Sequence, residues 1–146
     1  MIKRRLGMEL NGLAKLFADE AVEIAYLFGS QARGDVGGMS DLDIAILLPN
    51  EPSAEECARR QLHFLDKLTE HLKRDDVDVV ILNRAPLLLQ HRIVRDGKVI
   101  FCRDERRRVH YEVRVIRDYL DFQYFERLYN EALLERIVKE GLGARL

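Results

Sequence analysis

Three aspartates and one glycine-serine turn carry the chemistry that this chain could perform. Gly29-Ser30 closes an apolar run ending in Leu27-Phe28, ten residues follow, and then come Asp41 and Asp43, with Ile44-Ala45-Ile46-Leu47-Leu48 directly after them. In a strand, residues i and i+2 share a face, so Asp41 and Asp43 project together while Leu42 points into a core. Two adjacent carboxylates repel each other unless a cation lies between them. A hard, oxygen-seeking ion such as Mg²⁺ meets that need and commonly arrives with nucleotide phosphates. The preceding turn suits phosphate. Gly29 has no Cβ to hold an anion off, Ser30 offers a hydroxyl, and a helix starting there would aim free N–H groups at the anion. A third acid, Asp78, sits inside Val77-Asp78-Val79-Val80-Ile81-Leu82. An unpaired charge buried in an apolar run is costly. Asp78 therefore either completes a metal site with Asp41 and Asp43 or occupies an exposed edge, and Asp76, on the same face, is the fallback if the register differs.

The surrounding pattern supplies elements to hold these groups. Residues 22–28 and 42–48 read as the first two strands, and a helix is expected over 2–19 from Ile2, Leu6, Leu10, Leu13, Leu16 and Phe17. Pro49 to Pro52 ends the second strand. Ser53 caps a helix over 54–73, with Glu55 and Glu56 at its positive end and Leu62, Leu65, Leu68 and Leu72 as its buried stripe. Residues 77–82 form a third strand, Pro86 opens a short helix that Gly97 ends, and 98–101 form a fourth strand. From Asp104 to about 140, Val109, Val113, Ile116, Leu120, Leu128, Leu133 and Ile137 recur at helical spacing until Gly141 and Gly143. The fold class expected is α/β (α+β): a small mixed sheet of about four strands flanked by helices, with a long C-terminal helical segment. One domain is expected over 1–146, its core at about 22–101 and its helical segment at about 104–140.

Bulk properties exclude several functions. The 24 basic and 25 acidic residues nearly cancel, which argues against direct nucleic-acid or membrane-surface binding. No apolar run nears the ~20 residues of a membrane span, and the basic Met1–Arg5 leads into no signal-peptide core, so a cytoplasmic protein is expected. Cys57 and Cys102 stand far apart and read as reduced thiols. The basic residues Arg59, Arg60, Lys67, Lys73 and Arg74, and the run Arg106-Arg107-Arg108, read as solvated helix faces. Tyr119, Phe122, Tyr124, Phe125 and Tyr129 spread beyond one stripe; they either close the core or form a partner surface.

The joint pattern of Gly-Ser, ten residues and Asp-x-Asp, filled by Ala32-Arg33-Gly34 and Ser40, resembles the signature of the nucleotidyltransferase superfamily that includes DNA polymerase β. The resemblance implies a nucleotidyltransferase fold, ATP as substrate and a pair of Mg²⁺ ions. It implies Asp41, Asp43 and Asp78 as catalytic residues and metal ligands, since the superfamily's third aspartate lies near the start of a following strand. Gly29 and Ser30 would grip the β and γ phosphates, and Arg33 would either pair with phosphate or brace the loop. Among such proteins the chain is most similar to the MNT group of small prokaryotic nucleotidyltransferases, which includes antitoxins of the MntA type. That likeness implies transfer of AMP from ATP to a protein hydroxyl, a tyrosine of a HEPN-domain toxin, by the antitoxin of a type VII toxin–antitoxin pair, and hence a hetero-oligomer. Two alternatives stand beside it. One is an aminoglycoside-type enzyme acting on a small molecule, which usually needs a further domain for its acceptor. The other is a non-catalytic antitoxin that neutralises by covering its partner.

Overall fold

The computed structural model describes residues 10, 12–29 and 41–141. In chain order these form α1 (Leu13–Asp19), β1 (Ile24–Phe28), β2 (Leu42–Leu47), α2 (Ala54–Leu72), β3 (Val77–Ile81), a 3-10 turn (Leu82–Arg84), α3 (Leu87–Asp96), β4 (Lys98–Cys102) and α4 (Glu105–Glu140). The expected helix over 2–19 is described as a helix from Leu13 to Asp19; residues 1–9 and 11 lie outside the described residues. The four strands form one mixed sheet in the order β3-β2-β1-β4. β1 runs antiparallel to both β2 and β4, and β3 runs parallel to β2.

Alternation along the strands divides the core in two. Ala25, Leu27, Leu42, Ile44, Ile46, Val77, Val79 and Ile81 face α1 and α2, where Leu13, Phe17, Phe64 and Leu68 cover them. Ile24, Tyr26 and Ala45 face the other way, against Leu82, Ile93, Tyr111 and Val115 of the 3-10 turn, α3 and α4. Asp43 and Asp78 occupy the positions of β2 and β3 that alternate onto this second face. Tyr26 Oη donates to Glu112 at 2.8 Å, and Tyr111 Oη donates to Gln90 at 3.0 Å, tying α4 to β1 and to α3.

Helix ends follow local chemistry. Ser53 Oγ accepts from the Glu56 N–H at 3.1 Å, and Asp104 accepts from the Arg106 N–H at 2.9 Å. Gly141, at φ +74°, ends α4 in a conformation that favours glycine.

Two expected stripes are corrected. In α2 the buried residues are Cys57, Phe64, Leu68 and Leu72, whereas Leu62 is 68% exposed. Leu68 and Leu72 are buried as expected and Leu65 packs against the core, with Cys57 and Phe64 in place of Leu62; the exposed Gln61 donates to the Val79 carbonyl at 2.7 Å. In α4 only Tyr111 and Val115 are buried, while Val109, Val113, Ile116, Leu120, Leu128 and Leu133 are exposed. The sheet supports only the first turns of this 36-residue helix.

Of the basic residues expected on solvated faces, Arg59, Lys67, Lys73 and Arg106 are exposed as expected, while Arg60, Arg74, Arg107 and Arg108 make internal pairs. Arg60 bridges to Glu20 at 3.3 Å, Arg107 to Glu23 at 2.6 Å, and Arg108 to both Glu105 and Glu112. Cys57 is buried and Cys102 half-buried, and neither is in a disulfide. No helix among the described residues is long and apolar enough to cross a membrane.

Candidate functional site

β2 brings the aspartates to one end of the sheet. Asp43 lies directly opposite Phe28 on antiparallel β1 and directly opposite Asp78 on parallel β3. Leu42 between the two acids is fully buried, as the alternation requires, while Asp41 is exposed just before the strand. Asp78 is exposed on the edge strand, so the edge position and the proximity to Asp43 hold together. Its Oδ1 accepts from the Val79 N–H at 3.0 Å.

The charges of Asp78 and Asp41 both reach Asp43. Asp43 is half-buried, and burial first, then the charges of Asp78 and Asp41, raises its carboxyl above the ordinary value. The set has the chemistry of a hard-cation site: oxygen donors only, with negative charge in excess. As they stand, no three His, Cys, Asp or Glu side chains among the described residues form a group that could hold a metal ion.

Asp76 does not face Asp43. It precedes β3, its carbonyl accepts from Leu42 N–H at 2.8 Å, and its carboxylate takes hydrogen bonds from Arg74 at 2.7 and 2.6 Å. Those bonds hold its carboxyl below the ordinary range. The fallback position is thus occupied by an arginine pair.

Gly29 explains itself structurally. It leaves β1 at φ +77°, and a Cβ placed on it would lie 2.2 Å from Asp43 Oδ2. The Asp43 carboxylate therefore fills the space that the missing side chain leaves. Gly29→Ala costs about 1–2 kcal/mol for the left-handed backbone alone and displaces the carboxylate as well. The melting midpoint should fall by about 3–6 °C. Any activity that depends on Asp43 should fall by about a hundredfold, because a misplacement near 1 Å is that expensive. Ser30 and Arg33, the other expected phosphate contacts, lie outside the described residues.

One residue went unnoticed in the sequence. Glu23, flanked by Val22 and Ile24, is 6% exposed and pairs with Arg107. An acid within an apolar run was the available signal, the same one that marks Asp78.

Comparison with known proteins places the chain among relatives. Residues 11–106 match the family described as "Polymerase beta, Nucleotidyltransferase". The chain is 32% identical over 89 residues to the protein adenylyltransferase MntA of Aphanizomenon flos-aquae, covering 55% of this chain and 57% of that one. It is 34% identical over 93 residues to the protein adenylyltransferase MntA of Shewanella oneidensis, covering 62% and 63%. The chain thus spans about three-fifths of the length of the curated relatives it matches. A solved toxin–antitoxin structure with AMP-PNP superposes at a TM-score of 0.68 with 26% identity, covering 86% of this chain and 98% of that one. The MNT antitoxin in complex with a tri-AMPylated HEPN toxin from Shewanella oneidensis superposes at 0.65 with 24% identity, over 88% and 98%, and shares the fold.

Proposed function

We propose, from the premise that this chain belongs to the polymerase beta nucleotidyltransferase family, that it transfers AMP from ATP to a hydroxyl of a protein partner and thereby acts as the antitoxin of a HEPN-domain toxin. The observation that carries the reading is the pairing of Asp43 with Asp78 across parallel strands beside the Gly29 turn. The relatives named protein adenylyltransferase and the AMP-PNP complex of a similar fold support the nucleotide and the acceptor class. A tyrosine is the acceptor favoured within that class.

Each residue then has a task. Asp41, Asp43 and Asp78 would hold Mg²⁺, which when bound supplies neutralisation of charge at the α-phosphate and on the departing pyrophosphate. The Gly29 turn, with Ser30, would cradle the β and γ phosphates and keep the triphosphate in line, and Arg33 would balance their charge. The partner's hydroxyl oxygen bonds to the α-phosphorus as the bond from that phosphorus to the β-phosphate oxygen breaks. The hydroxyl proton passes to Asp78, whose Oδ1 is already engaged by Val79 N–H, leaving Oδ2 to receive it. Catalysis of this kind is mostly positioning and electrostatics.

Asp78→Asn keeps the shape and loses the base. Nucleotide binding should persist within a few-fold, while single-turnover transfer drops by about 10²–10⁴. A rate equal to the parent chain's would move the proton to another acceptor.

The decisive experiment mixes the purified chain and its helical partner with ATP and Mg²⁺ and weighs the partner by mass spectrometry. A gain of one or more AMP units is expected. A stable complex with no gain would instead establish neutralisation by covering, a reading that the exposed apolar length of α4 favours.

A further inference from the structure

Asp78 stands on the least supported side of the sheet. β3 is an end strand, paired to β2 on one side, and among the described residues no strand lies on its other side. An end strand leaves half of its backbone groups without a ladder partner, and exposed backbone bonds open more readily than interior ones. A carboxylate that must stay opposite Asp43 on such a strand needs a second hold.

That hold comes from α2. Leu42 N–H donates to the Asp76 carbonyl at 2.8 Å, so Asp76, Asp78 and Val80 turn their backbone groups toward β2 and Val79 turns its own outward. Side chains take both outward groups. Gln61 Nε2 donates to the Val79 carbonyl at 2.7 Å, and Asp78 Oδ1 accepts from the Val79 N–H at 3.0 Å. Gln61 reaches the edge from the α2 side, where the Val79 side chain is buried, while Asp78 projects from the opposite face. A further tether lies two residues before Asp78. There the Asp76 carboxylate accepts from Arg74 Nε and Nη2 at 2.7 and 2.6 Å, just past the end of α2 at Leu72. Asp78 thus lies between two anchored positions, 76 and 79.

The Gln61 bond contributes little to packing. Gln61 is exposed, and Cys57, Phe64, Leu68 and Leu72 dock α2 on the core without it. Without its N–H, water can meet the Val79 carbonyl at the edge. The loss then falls on the position of Val79 and, through its N–H, on the direction of the Asp78 carboxylate.

We propose that Gln61 is a positioning residue for the transfer reaction. By anchoring the outward backbone of Val79, it holds Asp78 opposite Asp43 with Oδ1 engaged and Oδ2 left for the incoming hydroxyl proton. This inference rests on the proposed function, in which Asp78 takes that proton.

The test is Gln61→Met, which removes the donor at nearly the same length. The melting midpoint should stay within about 2 °C of the parent's, since the residue is exposed. In the isolated full chain, Val79 N–H should exchange with deuterium at least about twofold faster, while the Ile44 and Ile46 amides of central β2 keep their parent rates. With the helical partner, ATP and Mg²⁺, single-turnover transfer should drop about tenfold. The ATP concentration giving half the maximal rate should move by less than about twofold, because the Gly29 turn on β1 is untouched. In an Asp78→Asn background the same substitution should cost less than about twofold, since the proton acceptor that it positions is gone. Unchanged Val79 exchange, transfer at the parent's rate, or an equal loss in both backgrounds would each overturn the positioning role and leave the proposed function standing. A parent chain that transfers no AMP would overturn the proposed function and this inference with it.

Discussion

Asp43→Asn should abolish nucleotidyl transfer and, in the same protein, raise the melting temperature. The two effects have one cause. Asp43 sits between the charges of Asp78 and Asp41, is partly buried, and has its carboxyl raised above the ordinary value. A carboxyl raised in the folded state binds protons more tightly there than in the unfolded chain. Stability is therefore complete below the unfolded value near 3.9 and falls as pH climbs through the raised folded one. At neutral pH the native protein carries that cost in full. Asparagine keeps the shape without the charge, so the pH-dependent loss between about 4 and neutrality should shrink. The midpoint at neutral pH should rise on the order of 2 °C. Under the proposed function, transfer would use that same excess negative charge to hold a divalent ion, and it should fall by at least about a thousandfold, the scale set by removing a main electrostatic group from an active site. Label from α-labelled ATP on the partner, read beside a melting curve, measures both. Retained labelling in the Asp41→Asn, Asp43→Asn double variant would refute the metal role. A lowered midpoint would refute the account of the repulsion.

What could be read from the sequence was the alternation that fixes faces. Asp-Leu-Asp before an apolar run placed Leu42 in the core and Asp43 on the opposite face, because a strand offers only two faces and one was plainly apolar. Asp78 could be paired with Asp43 in thought only through the resemblance, since no local signal tells which strands lie side by side. The parallel register that joins them is a long-range fact created by the crossover through α2. The Arg74–Asp76 pair was equally hidden: sequence puts Asp76 on the face of Asp78, but the backbone before β3 has not yet entered the strand. In α2 the leucine pattern placed Leu65, Leu68 and Leu72 rightly and Leu62 wrongly, because Cys57 and Phe64, which no leucine count includes, complete the buried side. In α4 the apolar residues outnumber what the sheet can cover, so periodicity could not tell which of them touch it. Glu23 carries the same anomaly as Asp78, an acid within an apolar run, but no motif surrounds it to say what it does.

Phe125→Asp with Tyr129→Asp should separate the chain from the helical partner proposed for it while leaving its own core untouched. α4 is 36 residues long, about 54 Å at 1.5 Å per residue, yet its last buried residue is Val115. Beyond it, Phe122, Tyr124, Phe125, Tyr129, Leu134 and Val138 are all more than 40% exposed. A helix draws most of its stability from packing an amphipathic face, and the exposed apolar line of Phe122, Phe125, Tyr129 and Leu133 on α4 marks an interaction surface. The face is not arbitrary. Phe122, Phe125, Tyr129 and Leu133 continue, at helical spacing, the line on which Tyr111 and Val115 dock to the sheet, so a helical partner would extend the protein's own core outward. Aromatic residues at the centre of an interface commonly contribute 2 kcal/mol or more each, and a buried aspartate adds an unpaired charge. The dissociation constant for the proposed HEPN-domain partner, measured by calorimetry, should rise at least about a hundredfold. The melting curve of the isolated chain should shift by less than about 2 °C, because neither residue is buried in it. ATP binding should be unchanged and partner labelling lost, which separates delivery of the acceptor from the chemistry. If affinity for the partner persists and the parent chain instead proves to be a dimer that these substitutions dissolve, the surface joins two copies of this chain and the partner meets it elsewhere.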